Sequence, residues 1–186
     1  SHVIKRAVDR SVKIVANLKS FSRSSGESVP SDITAGIEET LVLLGPRLRK
    51  AGITVVKEYG ELPQVVCRIG ELNQVFMNVL VNAIQSLESC GDAPPAPPEV
   101  RITTSIDGGF ACVAIADSGP GVPDAIARKI FDPFFTTKPR GQGTGLGLSI
   151  STDIVHRHGG TLSYEPVSPD SAPRGARFVC RVPVSG

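Results

Sequence analysis

The sequence lacks the features that mark membrane, nucleic-acid-binding and disulfide-bonded proteins. No apolar run among its 186 residues approaches the roughly 20 residues of a membrane helix, and the first residues lack the apolar core of a signal peptide. Its 20 basic and 18 acidic residues leave a formal net charge of +2, too small an excess to predict nucleic-acid binding. The four cysteines include no Cys-x-x-Cys pair, so we expect free thiols in the cytoplasm.

What is present is the composition of one globular domain with an appendage. Apolar residues make up 40% of the chain and charged residues 20%, a balance that supports a packed core. Apolar positions recur every three or four residues near the start and predict one helix within residues 1–24. The polar segment 25–32 predicts a linker, and residues 33–186 make up the domain proper. The apolar stripe of the first helix consists of Ile4, Val8, Val12, Val15 and Leu18.

Helical and strand patterns are mixed along the domain. Their order predicts an α+β fold, a two-layer sandwich in which a mixed, mainly antiparallel sheet packs on one layer of helices. The first two strands are separated by a Gly-Glu-Leu-Pro turn. Helices are predicted near 33–50, 70–88 and 146–158, and strands near 53–59, 64–68, 100–105, 110–117, 161–164 and 176–182.

Two asparagines, Asn78 and Asn82, lie one turn apart on the second helix of the domain. Residues at positions i and i+4 project from the same side of a helix. Carboxamide oxygens are hard ligands of the kind that Mg²⁺ binds beside phosphates, so the pair is a candidate metal site. The alternative is the solvated face of an ordinary helix.

Asp117 ends an apolar strand and is followed by Gly119 and Gly121. Glycines let the backbone approach whatever the carboxylate contacts. A carboxylate accepts a hydrogen bond from the amino group of adenine and rejects guanine, which has a carbonyl at that position. The alternative is an aspartate that only caps a turn.

Four glycines alternate from Gly141 to Gly147, directly before a helix. Such a run frees backbone N–H groups to face a triphosphate at a helix start. It fits neither the dinucleotide fingerprint nor the Gly-Lys-Ser/Thr phosphate loop, and a flexible linker is the alternative.

An aromatic cluster, Phe131-Asp-Pro-Phe-Phe-Thr-Thr-Lys138, lies between these glycine-rich segments. A lid that closes over a nucleotide would use the rings as its anchor and offer Lys138 to a phosphate as a point charge. The alternative for Lys138 is a solvated surface charge.

Taken together, these motifs resemble the N box, first glycine box, F box and second glycine box of sensor histidine kinases. The resemblance covers roughly residues 30–184 and implies the Bergerat ATP-binding fold that gyrase, chaperone and mismatch-repair ATPases share. It implies ATP and Mg²⁺ as cofactors, Asn82 and Asn78 at the metal, and Asn78 and Lys138 in catalysis. The ATP-binding residues it implies are Asn78, Asn82, Ala83, Asp117, Gly119, Gly121, Lys138, Gly141, Gly143, Thr144, Gly145, Leu146, Gly147 and Leu148.

The segment Leu18-Lys-Ser-Phe-Ser-Arg23 resembles the end of the family's second dimerisation helix. The resemblance implies a homodimer in which the γ-phosphate passes to a histidine of the dimerisation helices and then to an aspartate of a response regulator. None of His2, His156 and His158 lies in the family's His-Glu acceptor box, so we expect no autophosphorylation by this chain alone. The domain needs no membrane contact, although a longer parent protein is either cytosolic or anchored in the inner membrane.

Three other functions stay open at this point. ATPases of the same fold use a glutamate of the N-box helix to activate water, whereas Glu71 precedes Asn78 by nearly two turns. Protein-serine kinases share the fold, and a nucleotide-gated interaction module would bind ATP without transferring phosphate. Ser86 replaces an aromatic that some family members carry, so adenine contacts would depend chiefly on apolar groups and Asp117.

Overall fold

The computed structural model describes residues 26–91, 97–138, 143–166 and 175–184. The helix predicted within residues 1–24 and Gly141 of the glycine-rich run lie outside these ranges. The described helices are α1 (Ile33–Lys50), α2 (Ile69–Glu88) and α3 (Gly147–Arg157). The described strands are β1 (Val29–Ser31), β2 (Thr54–Tyr59), β3 (Val65–Cys67), β4 (Glu99–Asp107), β5 (Phe110–Asp117), β6 (Thr161–Pro166) and β7 (Ala176–Pro183).

Five of the strands form one sheet in the order β2-β4-β5-β7-β6. β2 runs parallel to β4, and the other neighbours in this sheet are antiparallel. β1 and β3 form a separate antiparallel pair. The prediction of an α+β fold with a mixed, mainly antiparallel sheet is therefore confirmed for the described residues.

The structure departs from the sequence prediction around the first strands. β2 does not pair with β3, because Gly60 continues alongside β4 and donates its backbone N–H to Thr104 O at 2.9 Å. A Cβ at Gly60 would lie 2.7 Å from the same oxygen, so this close approach requires glycine. The following residues lead away from the large sheet to β3. Residues 29–31, which the sequence places in the linker, are the strand that pairs with β3.

The core lies between the large sheet and the apolar face of α2. Every α2 residue predicted for that face is buried, and Ile84 joins them because it lies one turn beyond Leu80. β5 supplies the opposite wall and is buried from Ala111 to Asp117, as the central position of the strand requires. The predicted α2 face comprises Leu72, Val75, Phe76, Val79, Leu80, Ala83 and Leu87.

A buried polar network joins the first turn of α2 to the end of α3. Glu71 is 5% exposed and lies 3.3 Å from Arg68 Nη1 and 3.4 Å from Arg157 Nη2. His158 accepts a hydrogen bond from Arg68 N at its Nε2, and its Nδ1 lies 2.8 Å from Ile154 O. Because Nε2 accepts and Nδ1 faces a carbonyl oxygen, His158 is assigned as the neutral tautomer with its proton on Nδ1. His158 is therefore a packing residue.

The free thiols predicted from the sequence are present. Cys67, Cys112 and Cys180 are buried, and Cys90 is partly exposed. Within the described ranges, no helix combines the length and the apolar character that crossing a bilayer demands.

Helices α1 and α2 approach closely at Gly36. A Cβ at this buried glycine would lie 2.9 Å from Ile69 Cδ1 and would overlap Asn73 Oδ1. The same pair of helices is joined near their other ends by a bidentate ion pair, in which Arg47 Nε and Nη2 donate to Glu88 at 3.0 and 2.6 Å. The glycine contact and the ion pair fix how α1 lies along α2.

We expect Gly36→Ala to lower the free energy of unfolding by about 1–3 kcal/mol, because overpacking outweighs the better helix propensity of alanine. Gly70→Ala is the matched control, since nothing lies within 4 Å of a Cβ there. The control should be neutral or stabilising by up to about 1 kcal/mol. Denaturant unfolding of both variants tests this, and equal effects would contradict the close contact.

Candidate nucleotide-binding site

One side of α2 carries polar residues that contact three other segments of the chain. Asn78, Asn82, Gln85 and Ser86 are half-buried and follow one another at spacings of four, three and one, which keeps them on one side of the helix. We call these four residues the polar edge of α2. The start of α3, Lys138 at the end of the aromatic cluster and the loop after β5 converge on it.

Asn78 fixes the start of α3. Its Nδ2 donates to Gly147 O at 3.1 Å and to Ser151 Oγ at 3.0 Å. The N-cap residue of α3, Leu146, provides no side-chain cap, so the first N–H groups of the helix are available to an anion. Thr144 Oγ1 accepts from Leu146 N at 3.3 Å. Asn78 thus braces the two helices through its Nδ2, and among the described residues its Oδ1 is left for a ligand. Its partner Ser151 gives no signal in the local sequence.

The side-chain oxygen of Asn82 contacts the ammonium group of Lys138 in this structure. Lys138 Nζ donates to Asn82 Oδ1 at 3.2 Å and also to Gln85 Oε1. Burial, helped by the charge of Arg47, lowers the pKa of Lys138. A hard amide oxygen that already accepts from an ammonium group suits a Mg²⁺ ion beside phosphates, so the donor chemistry at Asn82 fits the implied metal. Gln85 was not among the residues the sequence indicated.

Asp117 is a buried carboxylate at the end of β5, with only 2% of its surface exposed. Its Oδ1 accepts from Gly119 N at 2.8 Å and from Ala176 N at 3.4 Å. Burial raises its pKa to about 6, although the two backbone N–H groups act in the opposite direction. Among the described residues both bonds end on Oδ1, which leaves Oδ2 for a donor such as an exocyclic amine.

Glycines pack tightly around this carboxylate. A Cβ at Gly119 would lie 2.5 Å from Ser86 Oγ, and a Cβ at Gly175 would lie 2.6 Å from Gly119 N. Gly121 has a φ of +77°, which favours glycine. The small side chain of Ser86 therefore sits against the loop after β5. Gly175 was missed by the sequence analysis because it precedes a distant strand, β7.

Residues 131–138, which we call the lid loop, are held at two points. The ring of Phe131 packs edge-on against Phe178, with centroids 6.3 Å apart. Phe134 N donates to Gly145 O at 2.8 Å, and a Cβ at Gly145 would lie 2.6 Å from Phe134 O. Packing of the aromatic cluster is confirmed for Phe131, whereas the ring of Phe134 is 74% exposed. Phe134 also has a positive φ of 66°, which is strained for a bulky residue.

The remaining residues that the family resemblance implies at the site lie in three places: the core, the lid loop and the start of α3. Ala83 is buried in the core, one residue beyond Asn82. A Cβ at Gly143 would lie 2.6 Å from Thr136 Oγ1, which places Gly143 against the lid loop. Leu146 and Leu148 are partly buried at the start of α3.

Because Asn78 braces two helices, substitutions of Asn78 and Asn82 should differ in their effect on the free energy of unfolding. Asn78→Asp replaces the donating amide by an oxygen that faces Gly147 O, so we expect a loss of roughly 1–3 kcal/mol in the free energy of unfolding. Asn82→Asp keeps an acceptor for Lys138 and should change it by less than about 0.5 kcal/mol. Denaturant unfolding measures both, and similar losses would show that Asn78 is not a brace.

Comparison with known proteins identifies the family. Residues 68–186 match the family described as histidine kinase-, DNA gyrase B- and HSP90-like ATPase. The two-component sensor PprA of Pseudomonas aeruginosa is 36% identical in an alignment of 182 residues that covers 93% of this chain and 18% of PprA. The chain spans between 18% and 31% of the length of this and two other curated relatives.

Solved structures of histidine kinases share the fold. The catalytic domain of the histidine kinase ThkA has a TM-score of 0.72 and 31% identity, with 86% of this chain and 97% of that domain covered. The structure of ThkA in complex with the response regulator TrrA has a TM-score of 0.73 and 27% identity, with 98% of this chain and 49% of that chain covered. Full-length ShkA in complex with AMPPNP has a TM-score of 0.74 and 26% identity, with 98% of this chain and 37% of that chain covered. The chain therefore belongs to the histidine kinase-, DNA gyrase B- and HSP90-like ATPase family, within which it is a catalytic ATP-binding domain of the sensor histidine kinase type.

Proposed function

We infer that this domain binds Mg·ATP along the polar edge of α2 and donates the γ-phosphate to a histidine side chain. The observation that carries this proposal is a convergence of three groups on one helix. A buried carboxylate lies at one end of the edge, the uncapped start of α3 lies at the other, and the carboxamide of Asn82 lies between them. ShkA, a similar protein, was solved with the ATP analogue AMPPNP, which supports the ligand class.

Asp117 is the group suited to adenine. Its carboxylate is fixed by two backbone N–H groups and is shielded from water. A hydrogen bond from the adenine amine to a shielded carboxylate is stronger than the same bond in water. Guanine would place a carbonyl oxygen against the carboxylate, and the like partial charges would repel.

The phosphates are suited to the other end of the polar edge. The first N–H groups of α3 and its dipole favour negative charge, and Lys138 adds a positive charge from the lid loop. Asn82, with Oδ1 of Asn78, would hold Mg²⁺. A bound Mg²⁺ supplies charge neutralisation at the phosphate oxygens.

The chemistry of the polar edge favours transfer over hydrolysis. All four of its side chains are amides or a hydroxyl, and none is a carboxylate that could activate water. Glu71, the acidic residue of the first turn of α2, is held by Arg68 and Arg157. A neutral imidazole needs no such base, because its ring nitrogen already carries a lone pair. That nitrogen forms the bond to the γ-phosphorus while the bond to the ADP oxygen breaks.

The partners of the complete protein follow as part of the same proposal. Residues 1–24 would continue a dimerisation helix, and the acceptor histidine would lie on the helix pair of a homodimer. A response regulator would take the phosphoryl group onto an aspartate, and ThkA was solved in complex with a response regulator.

Nucleotide binding and phosphate transfer test the proposal directly. We expect Mg²⁺-dependent binding of a non-hydrolysable ATP analogue by calorimetry, and we expect Asp117→Ala to weaken it by at least about tenfold. After incubation with ATP labelled at the γ position, this chain should carry no acid-labile label. Acid-stable label would indicate a serine kinase, and release of phosphate without protein label would indicate an ATPase. No Mg²⁺-dependent binding would favour an interaction module.

Nucleotide binding should weaken as the pH falls through the pKa of Asp117. This pKa lies near 6 in the folded protein, above its ordinary 3.8, so protonation removes the acceptor. We expect the dissociation constant to rise about fourfold between roughly pH 7.5 and 5.5. The same protonation relieves the cost of burying the charge, so this residue's contribution to stability rises as the pH falls from about 6 towards 3.8.

Asp117→Asn is the control for this profile, because its amide oxygen accepts a hydrogen bond and does not titrate. Titration of the nucleotide phosphates affects both proteins equally. The ratio of their dissociation constants therefore isolates Asp117, and a ratio that stays constant with pH would contradict its role.

A further inference from the structure

Lys138 reaches from the lid loop to two oxygens on α2. Its Nζ donates to Asn82 Oδ1 at 3.2 Å and to Gln85 Oε1. The two acceptors stand at i and i+3 and therefore point to the same side of the helix. One ammonium group thus bridges two neighbouring amides of the polar edge.

The rest of the loop favours this position of Lys138. Lys138 N donates to Thr136 Oγ1 at 3.2 Å, which turns the chain immediately before the lysine. A Cβ at Gly143 would lie 3.2 Å from Lys138 Cδ, so the aliphatic stem is packed. The neighbouring charge of Arg47 is neutralised by its bidentate pair with Glu88. Repulsion between Arg47 and Lys138 is reduced accordingly.

We propose that Lys138, Asn82 and Gln85 form a latch that holds the lid loop on α2 in the nucleotide-free domain and must open before Mg·ATP binds. This rests on the proposed function, which assigns Mg²⁺ to the oxygen that the ammonium group contacts. An ammonium ion and Mg²⁺ on one amide oxygen would repel each other, because both are cations held within a few ångströms, so the two compete for that oxygen. Lys138 is therefore released towards the phosphates when Mg·ATP enters.

Gln85 is a positioning residue in this scheme. It gives Lys138 a second acceptor and so favours the closed latch, while Asn82 remains to bind the metal. Removing Gln85 leaves both the metal ligand and the lysine in place. Removing Gln85 is therefore expected to tighten nucleotide binding, whereas removing a residue that contacts the nucleotide would weaken it.

Gln85→Ala should tighten binding of Mg·AMPPNP roughly 3- to 10-fold, the effect of one half-buried hydrogen bond lost from the nucleotide-free state. Gln74→Ala is the control, because Gln74 lies on the same helix and its side chain makes no hydrogen bond among the described residues. Calorimetry measures both affinities, and thermal melting checks that both variants fold. Unchanged or weaker binding by Gln85→Ala would overturn the latch.

Hydrogen exchange in the nucleotide-free protein gives an independent measurement. Peptides covering Phe131–Lys138 should exchange faster in Gln85→Ala than in the wild-type protein or in Gln74→Ala. Gln85→Glu gives Lys138 a charged partner, so it should slow exchange in these peptides and weaken binding of Mg·AMPPNP. Equal exchange in all four proteins would overturn the latch. If the wild-type protein bound no Mg·AMPPNP, the proposed function would fail, while the exchange rates would still decide whether the latch exists.

Discussion

The carboxamide of Asn78 joins two helices whose separation decides where every other group of the site can lie. By donating to Gly147 O and Ser151 Oγ, it holds the first turn of α3 one helical turn from Asn82. The lid loop, tied to α3 through Phe134 and Gly145, is thereby placed beside the same helix. Breaking this half-buried contact costs free energy, because water would replace only part of the hydrogen bonding of the unpaired amide.

The site combines groups that are costly to bury with packing that leaves them no other arrangement. Asp117 keeps a carboxylate away from water, and the cost appears in its raised pKa. Gly119 and Gly175 allow the backbone to approach the carboxylate so closely that no larger residue fits. Such preorganisation means that a ligand meets a group already oriented and already dehydrated, so that less free energy is lost on binding.

Local sequence predicted the parts of this site that depend on one helix or one turn. The shared side of Asn78 and Asn82 follows from helix geometry alone, and the buried end of β5 follows from an unbroken apolar run. Gln85 and Ser151 were missed because their partners lie far away in the chain, at Lys138 and Asn78. The pairing of β2 with β4 was missed for the same reason, since its partners, such as Thr54 and Glu99, are 45 residues apart and nothing in either strand specifies it.

The small sheet formed by β1 and β3 connects the chain around residue 29 to the start of α2. A force applied along the chain at Val29 acts on antiparallel hydrogen bonds with β3. β3 ends at Cys67, and α2 begins at Ile69, so the load passes within two residues to the helix that carries the polar edge. A displacement of residue 29 therefore has a path to the helix that carries the polar edge that does not cross the large sheet.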